Sequence, residues 1–260
     1  MKYKLGKRPA QPGAVKLKFH DFVDLSLMHH PPASFGHERL VPSWGMLLND
    51  RIYDCAVAGA MHSSMLWNRE AGKTALYLDQ NAVQAYGEIT GYRPGPELTD
   101  PNAPQNPTDQ GTYIPELLRY WQHTGLVDAK GARHKIGAYI QLHTGDWREL
   151  IYACYYFDGV GIGLNFPEQW MTDFDQGKPW DALKQPNVDG GHYVTGVAYR
   201  DSRCVAITWG GQVEITRAGY EQFSDETYAL LSVEKLLHGV DLQGFDADRL
   251  RAALPTLPGF

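Results

Sequence analysis

The stretch Asn49-Asp50-Arg51-Ile52-Tyr53-Asp54-Cys55-Ala56-Val57-Ala58-Gly59-Ala60-Met61-His62 limits the possible folds more than any other. It reads as a loop entering a buried helix, with a cysteine at the join. Val57, Ala60, Met61, Ser64 and Met65 recur at i, i+3, i+4, i+7 and i+8. That stripe is small or apolar throughout, so the helix must pack closely against another element. Asp54 is placed to cap the first turn through its carboxylate, and Gly72 to end the helix. Cys55 then lies in the first turn, where the dipole and unpaired N–H groups favour thiolate over thiol. A nucleophilic cysteine needs that environment. A small buried hydrophobe is the alternative reading of the same residue.

At 260 residues the chain can form one large domain or two lobes around a cleft. A formal charge of −6 argues against a nucleic-acid or anionic-membrane surface. The basic start, Met1 to Arg8, is not followed by an apolar run, so no signal peptide is expected, and no 18-residue apolar run offers a membrane span. Cys55, Cys154 and Cys204 are far apart and odd in number, which suits a reducing compartment better than a disulfide framework. No His-Glu-x-x-His, Cys-x-x-Cys or glycine-rich phosphate loop is present, so neither metal nor cofactor is expected.

Residues 1–45, rich in Pro, His and Lys, read as an N-terminal arm wrapping over the body. His29-His30-Pro31-Pro32 is a turn in it. Helices are expected within Leu76–Gly91 and Thr112–Thr124, separated by a long polar loop, 92–111, placed over the cleft. After about residue 130 the pattern changes to strands: 135–142, the glycine-spaced 159–166, and a hairpin of 190–199 with 204–211 turning at 200–203. A helix over 146–156 puts Cys154 on its apolar side. In the hairpin, alternation places His192, Val194, Gly196 and Ala198 on one face, and Val205, Ile207 and Trp209 together. Gly190 and Gly191 leave space around His192. Residues 236–260 read as a docking tail, with a helix capped near Asp246 and stopped by Pro255.

The order Cys55, then His192, resembles papain-like cysteine peptidases. Asn49 stands six positions before the cysteine, where that family carries its oxyanion-hole Gln. Gly190-Gly191-His192-Tyr193-Val194 resembles the family's histidine strand, Trp209-Gly210 its Trp-Gly, and Gly161-Ile162-Gly163-Leu164 the strand before the histidine loop. The resemblance covers roughly residues 45–235 and implies a divergent bacterial or phage-type member. The implied fold is α+β: a helical part over about 46–130 and an antiparallel β-barrel-like part over about 131–235, with a cleft between.

The resemblance further implies that His192 takes the Cys55 proton and that the Cys55 N–H and the Asn49 side chain hold an oxyanion. Asp54, Gly191 and Trp209 would line the cleft. The family's orienting Asn is replaced by Ile207, which cannot bond an imidazole. Thr208 is the remaining candidate for a third catalytic residue, although strict alternation points it away from the Trp209 face unless a bulge at Gly210-Gly211 intervenes. The implied function is a cysteine hydrolase cleaving peptide or isopeptide bonds in peptide or protein substrates, cytoplasmic or virion-associated. The alternatives are a catalytically weak or inactive papain-like component with protein assembly partners, such as part of a virus particle, and acyl transfer or amidase chemistry by the same pair.

Overall fold

The computed structural model describes residues 3–157, 159–233 and 243–254. Its central helix is α2, Cys55–Glu70, in which every residue from Cys55 to Leu66 is buried. The apolar stripe is thus only part of the contact surface. Ala56, Ala58, Gly59 and Ser63 on the remaining faces are small enough to admit neighbours on all sides. Helices α3 (Asp79–Thr90) and α4 (Ile114–His123) pack beside it, each ended near a left-handed glycine, Gly91 at φ 77° and Gly125 at φ 87°.

After a small antiparallel pair, β2 (Leu126–Val127) and β3 (Arg133–His134), the second half forms an antiparallel sheet of β4 (Ile136–Gln141), β5 (Gly159–Pro167), β6 (Val188–Arg200), β7 (Arg203–Thr208), β8 (Gly211–Thr216) and β9 (Ser224–Ser232). The spatial order is β4-β9-β5-β6-β7-β8, and the short β1, Phe35–Gly36, joins β6. Both faces are covered, and period-2 alternation divides the side chains between two cores. On β7, Val205 and Ile207 join the helices, whereas Cys204 and Ala206 join the opposite core. That opposite core is closed by α5 (Trp147–Tyr156), α6 (Gln169–Asp175), α7 (Arg217–Phe223) and part of the N-terminal arm, where Phe19 and Phe22 on the short α1 (Phe19–Phe22) are buried. Cys154 is buried there, as expected of a core residue. The arm is tied to the C-terminal helix Ala247–Ala253, whose N-cap Asp246 accepts from Arg249 N. Asp246 N donates to Phe22 O at 2.8 Å. Of the expected tail, residues 236–242 and 255–260, including Pro255, lie outside the described residues.

Two expected faces differ in the fold. The β6–β7 register shifts between Gly196 and Ala198, so Ala198 moves to the helical core while Val194 stays in the other. At the far end, β7 stops at Thr208, and Trp209 (φ 47°) and Gly210 (φ 72°) form the two-residue connection to β8. Two successive positive φ values match the twist of a tight hairpin. The turn carries Trp209 away from the Val205–Ile207 face and into the opposite core.

Tyr193 of β6 fixes the distance between α2 and the sheet. A Cβ on Gly59 would lie 2.7 Å from its ring, and one on Gly161 would lie 2.1 Å from its hydroxyl. Ser63 Oγ and Thr195 Oγ1, 2.5 Å apart, join the same two elements. Gly59→Ala gains about 1 kcal/mol of helix propensity, but overpacking costs about 1–3 kcal/mol. The variant is therefore expected to unfold at lower urea concentration than wild type. A higher midpoint would show that Tyr193 can yield and that the contact does not set the spacing.

Candidate active site

The loop before α2 is built on two consecutive left-handed non-glycine residues, Leu47 (φ 53°) and Leu48 (φ 66°). Each such residue costs about 1–2 kcal/mol, and buried surroundings must hold the turn. It presents the buried Asn49, whose Nδ2 lies 3.4 Å from Ile52 O and 3.5 Å from Lys4 O. Asp54 occupies the N-cap position and its carbonyl accepts from Ala58 N, but its carboxyl does not cap the helix. Both carboxyl oxygens are buried without a hydrogen-bond partner. Burial first, and then the nearby Asp109 carboxylate, push the Asp54 carboxyl well above the usual range. The expected side-chain cap is absent: Asp54 has φ −99° and ψ 17°, not the extended backbone from which an N-cap side chain reaches the first-turn N–H groups.

Cys55 is also enclosed. Its Sγ accepts from Gly6 N at 3.3 Å. Burial pushes the thiol up to about 12, outweighing the downward pull of the Tyr193 and Gly6 N–H groups. His192, the residue before Tyr193, is buried as well. Its ring stacks on Trp209 at 4.5 Å and 25°, and the Phe166 and Trp180 rings stand edge-on to it. This desolvation holds the imidazole down to about 3. In the described state the thiol and the imidazole are both neutral, and neither ring nitrogen of His192 is hydrogen-bonded to Cys55 Sγ.

The Trp209-Gly210 turn lets Thr208 and Trp209 approach the same ring. Thr208 Oγ1 lies 2.6 Å from His192 Nε2, while His192 Nδ1 is buried with no hydrogen-bond partner. With the proton on Nε2, donated to Thr208, Nδ1 has its lone pair available. Ile207, one residue earlier, points into the helical core.

Residues 3–8 thread through this site, which the reading of residues 1–45 as an outer wrap did not foresee. Lys4 N donates to Asn49 O at 3.0 Å, Thr112 N to Gly6 O at 2.7 Å, Lys7 N to Gly191 O at 2.9 Å and Arg8 N to Thr112 O at 3.0 Å. Trp209 Nε1 donates to Lys4 O at 3.4 Å, and Tyr3 stacks on Trp209 at 4.4 Å. The space beside Gly191 is used: a Cβ there would sit 2.2 Å from Lys7 O. The segment offers the sulfur the Gly6 N–H. The end of the 92–111 loop forms one wall, fixed by Asp109, which accepts from Tyr53 N at 3.0 Å and Tyr86 Oη at 2.7 Å. Gly6 and Gly111 were the available sequence signals, since a Cβ on Gly6 would lie 1.9 Å from Tyr53 O and one on Gly111 2.3 Å from Gly6 O.

Among the described residues, His20, His143 and Glu149 bring possible metal-ligating atoms within 4.8 Å of one another. Glu149 already accepts from His143 N at 2.7 Å and pairs with His143 Nδ1 at 2.8 Å. Also among the described residues, no helix is long and apolar enough to cross a membrane.

No family model matches the sequence, and no curated protein matches it. Solved structures match by fold. Xylellain, a cysteine protease from Xylella fastidiosa, gives a TM-score of 0.64 at 13% identity, covering 89% of this chain and 97% of that one. A Carica candamarcensis cysteine protease, CMS1MS2, in complex with E-64 gives 0.55 at 13%, covering 78% and 99%. A structure from work on the mite allergens Blo t 1 and Der p 1 gives 0.52 at 16%, covering 89% and 76%. The chain has the papain-like α+β fold.

A second buried histidine, His62 on α2, has Nε2 3.1 Å from Gly45 O, so Nε2 carries the proton. Burial lowers it from 6.5 to about 4. The unfolded chain therefore binds more protons below pH 6.5. The stability His62 contributes is complete above that pH and is lost as pH falls towards 4. His62→Gln can keep a donor for Gly45 O without titrating. Between pH 7.5 and 4.5 the wild-type unfolding free energy should fall by about 2 kcal/mol relative to this variant, measured by urea denaturation. A difference independent of pH would mean that His62 takes up its proton equally readily in the folded and unfolded chains.

Proposed function

We propose that this chain is a papain-like cysteine hydrolase cleaving peptide or isopeptide bonds, with Cys55 as nucleophile and His192 as base. The observation carrying the reading is the His192 Nε2–Thr208 Oγ1 contact at 2.6 Å beside a partnerless Nδ1. It supports Thr208 as the orienting residue where Ile207 cannot serve. Nδ1 takes the thiol proton, and the sulfur attacks the acyl carbon. The imidazolium then protonates the leaving amine as the C–N bond breaks. Water, deprotonated by the same nitrogen, releases the acid and regenerates the thiol. Asn49 Nδ2 and the Cys55 N–H stabilise the oxyanion. The cysteine proteases among the structural neighbours support peptide or protein substrates.

This chemistry requires residues 3–8 to leave. Water and substrate then reach the pair, and the desolvation that holds both groups neutral is relieved. The enclosed, uncharged pair favours a second reading: a non-catalytic papain-like part of a larger assembly, such as a virus particle.

Gly6→Ala separates the two, because the added Cβ overlaps Tyr53 O and must displace the segment. In the full-length Gly6→Ala chain, iodoacetamide is expected to alkylate Cys55 rapidly well below pH 8, more slowly when His192→Ala is added. Peptide mapping would separate Cys55 from Cys154 and Cys204. A thiol inert until pH 8–9 in both, near the free value of about 8.5, leaves the assembly reading. In a chain that hydrolyses peptides, Thr208→Val should lower kcat by about 100-fold or more, the lower range of positioned acid–base catalysis. An unchanged kcat would remove Thr208 from the mechanism.

A further inference from the structure

Lys7 is the one side chain of the threaded segment that is swallowed whole. Its side chain has 0% exposure, and its Nζ lies 2.6 Å from Asp225 Oδ2 and 3.4 Å from Glu226 Oε1. A third partner is Arg8 O at 3.0 Å. The stem lies over Gly163, where a Cβ would stand 2.6 Å from Lys7 Cε and 2.7 Å from Glu226 Cγ, so a glycine is needed to open the pocket. Glu226 is 1% exposed; Tyr228 Oη donates to its Oε2 at 2.7 Å, and its Oε1 has no hydrogen bond at all.

Two adjacent carboxylates facing one enclosed space repel each other and have lost solvation. A cation inside repays both costs, while an apolar side chain repays neither. When residues 3–8 leave, the pocket loses its cation and keeps its two carboxylates. The backbone at this point is one residue from Gly6, whose N–H touches Cys55 Sγ. A peptide lying along the same walls would therefore place a side chain in this pocket close to its reacting bond.

We infer that Asp225, Glu226 and Gly163 form a subsite that selects a lysine or arginine side chain of a peptide substrate, and that Lys7 occupies it as an intramolecular stand-in. The inference rests on reading the cleft as a peptide site, and adds to that reading the class of substrate: basic peptides with a small residue at the thiol. Gly6 marks the small position, since its surroundings admit no Cβ.

Two measurements on the full-length Gly6→Ala chain test it. The first is fluorescence-polarisation binding of fluorescein-labelled Tyr-Lys-Leu-Gly-Lys-Arg, the sequence of residues 3–8, against the analogue with norleucine in place of the second lysine. The lysine peptide is expected to bind at least tenfold more tightly, and Glu226→Gln together with Asp225→Asn should erase the difference. The second is hydrolysis of Tyr-Lys-Leu-Gly-Lys-Arg carrying a fluorophore and a quencher at its two ends, against the analogue with norleucine in place of the second lysine, with at least a tenfold kcat/KM preference for lysine that disappears in the same double variant. Equal binding of the two peptides, or no binding of either, overturns the subsite.

Hydrolysis without a lysine preference overturns the subsite and leaves the hydrolase reading intact. Lysine-selective binding with no hydrolysis and an inert thiol does the reverse. If Gly6→Ala does not fold, the same binding ratio is read on the wild-type chain, where both peptides compete against the same segment. Again, a ratio near one overturns the subsite.

Discussion

The close approach of α2 to β6 governs the rest of this structure. Tyr193 is clasped between Gly59 of the helix and Gly161 of β5, and neither position has room for a Cβ. The next residue back along β6 is His192, and the first residue of α2 is Cys55, so the contact that sets the packing distance also sets where thiol and imidazole lie. Close-packed interiors transmit such constraints because they do not deform gradually. The paired Ser63 and Thr195 hydroxyls in the same seam keep the approach polar-satisfied at one point.

Desolvation decides the charge state of the pair. A cysteine at a helix start should be acidified, yet the thiol is pushed up to about 12, and the imidazole is held down to about 3 by its aromatic enclosure. Helix-terminus effects are worth about 0.3–1 kcal/mol at exposed sites, and full burial of a charge costs several times more. Sequence position therefore sets a small tendency and solvent access a larger one. Residues 3–8 contribute to that closure, so charge state and occupancy of the cleft change together.

The glycines expected to mark close backbone approach serve distinct partners. Gly191 and Gly111 admit the backbone of the threaded segment, Gly161 admits Tyr193, and Gly163 admits the Lys7 stem. The carboxylates around the cleft are similarly divided. Asp109 is consumed by Tyr53 N and Tyr86 and fixes a wall, whereas Asp225 and Glu226 meet a cation from the segment itself.

Local patterning was enough to determine the helical first half, the strand-rich second half, and the elements bearing Asn49, Cys55 and His192, because periodicity and glycine stops are properties of contiguous residues. It also placed the helix-side face of Val205 and Ile207. It did not determine Trp209, because a strand's alternation holds only while the strand lasts, and two positive φ values at Trp209 and Gly210 end it. Thr208 keeps the Cys204–Ala206 face and so meets His192, while the turn swings Trp209 over the same ring, which no spacing rule contains. Nor did it determine the course of residues 3–8 or the burial of Lys7 against Asp225 and Glu226. Those contacts join residues at least 45 positions apart, and 218 apart for Lys7 and Asp225, and only the assembled core places them within hydrogen-bonding distance.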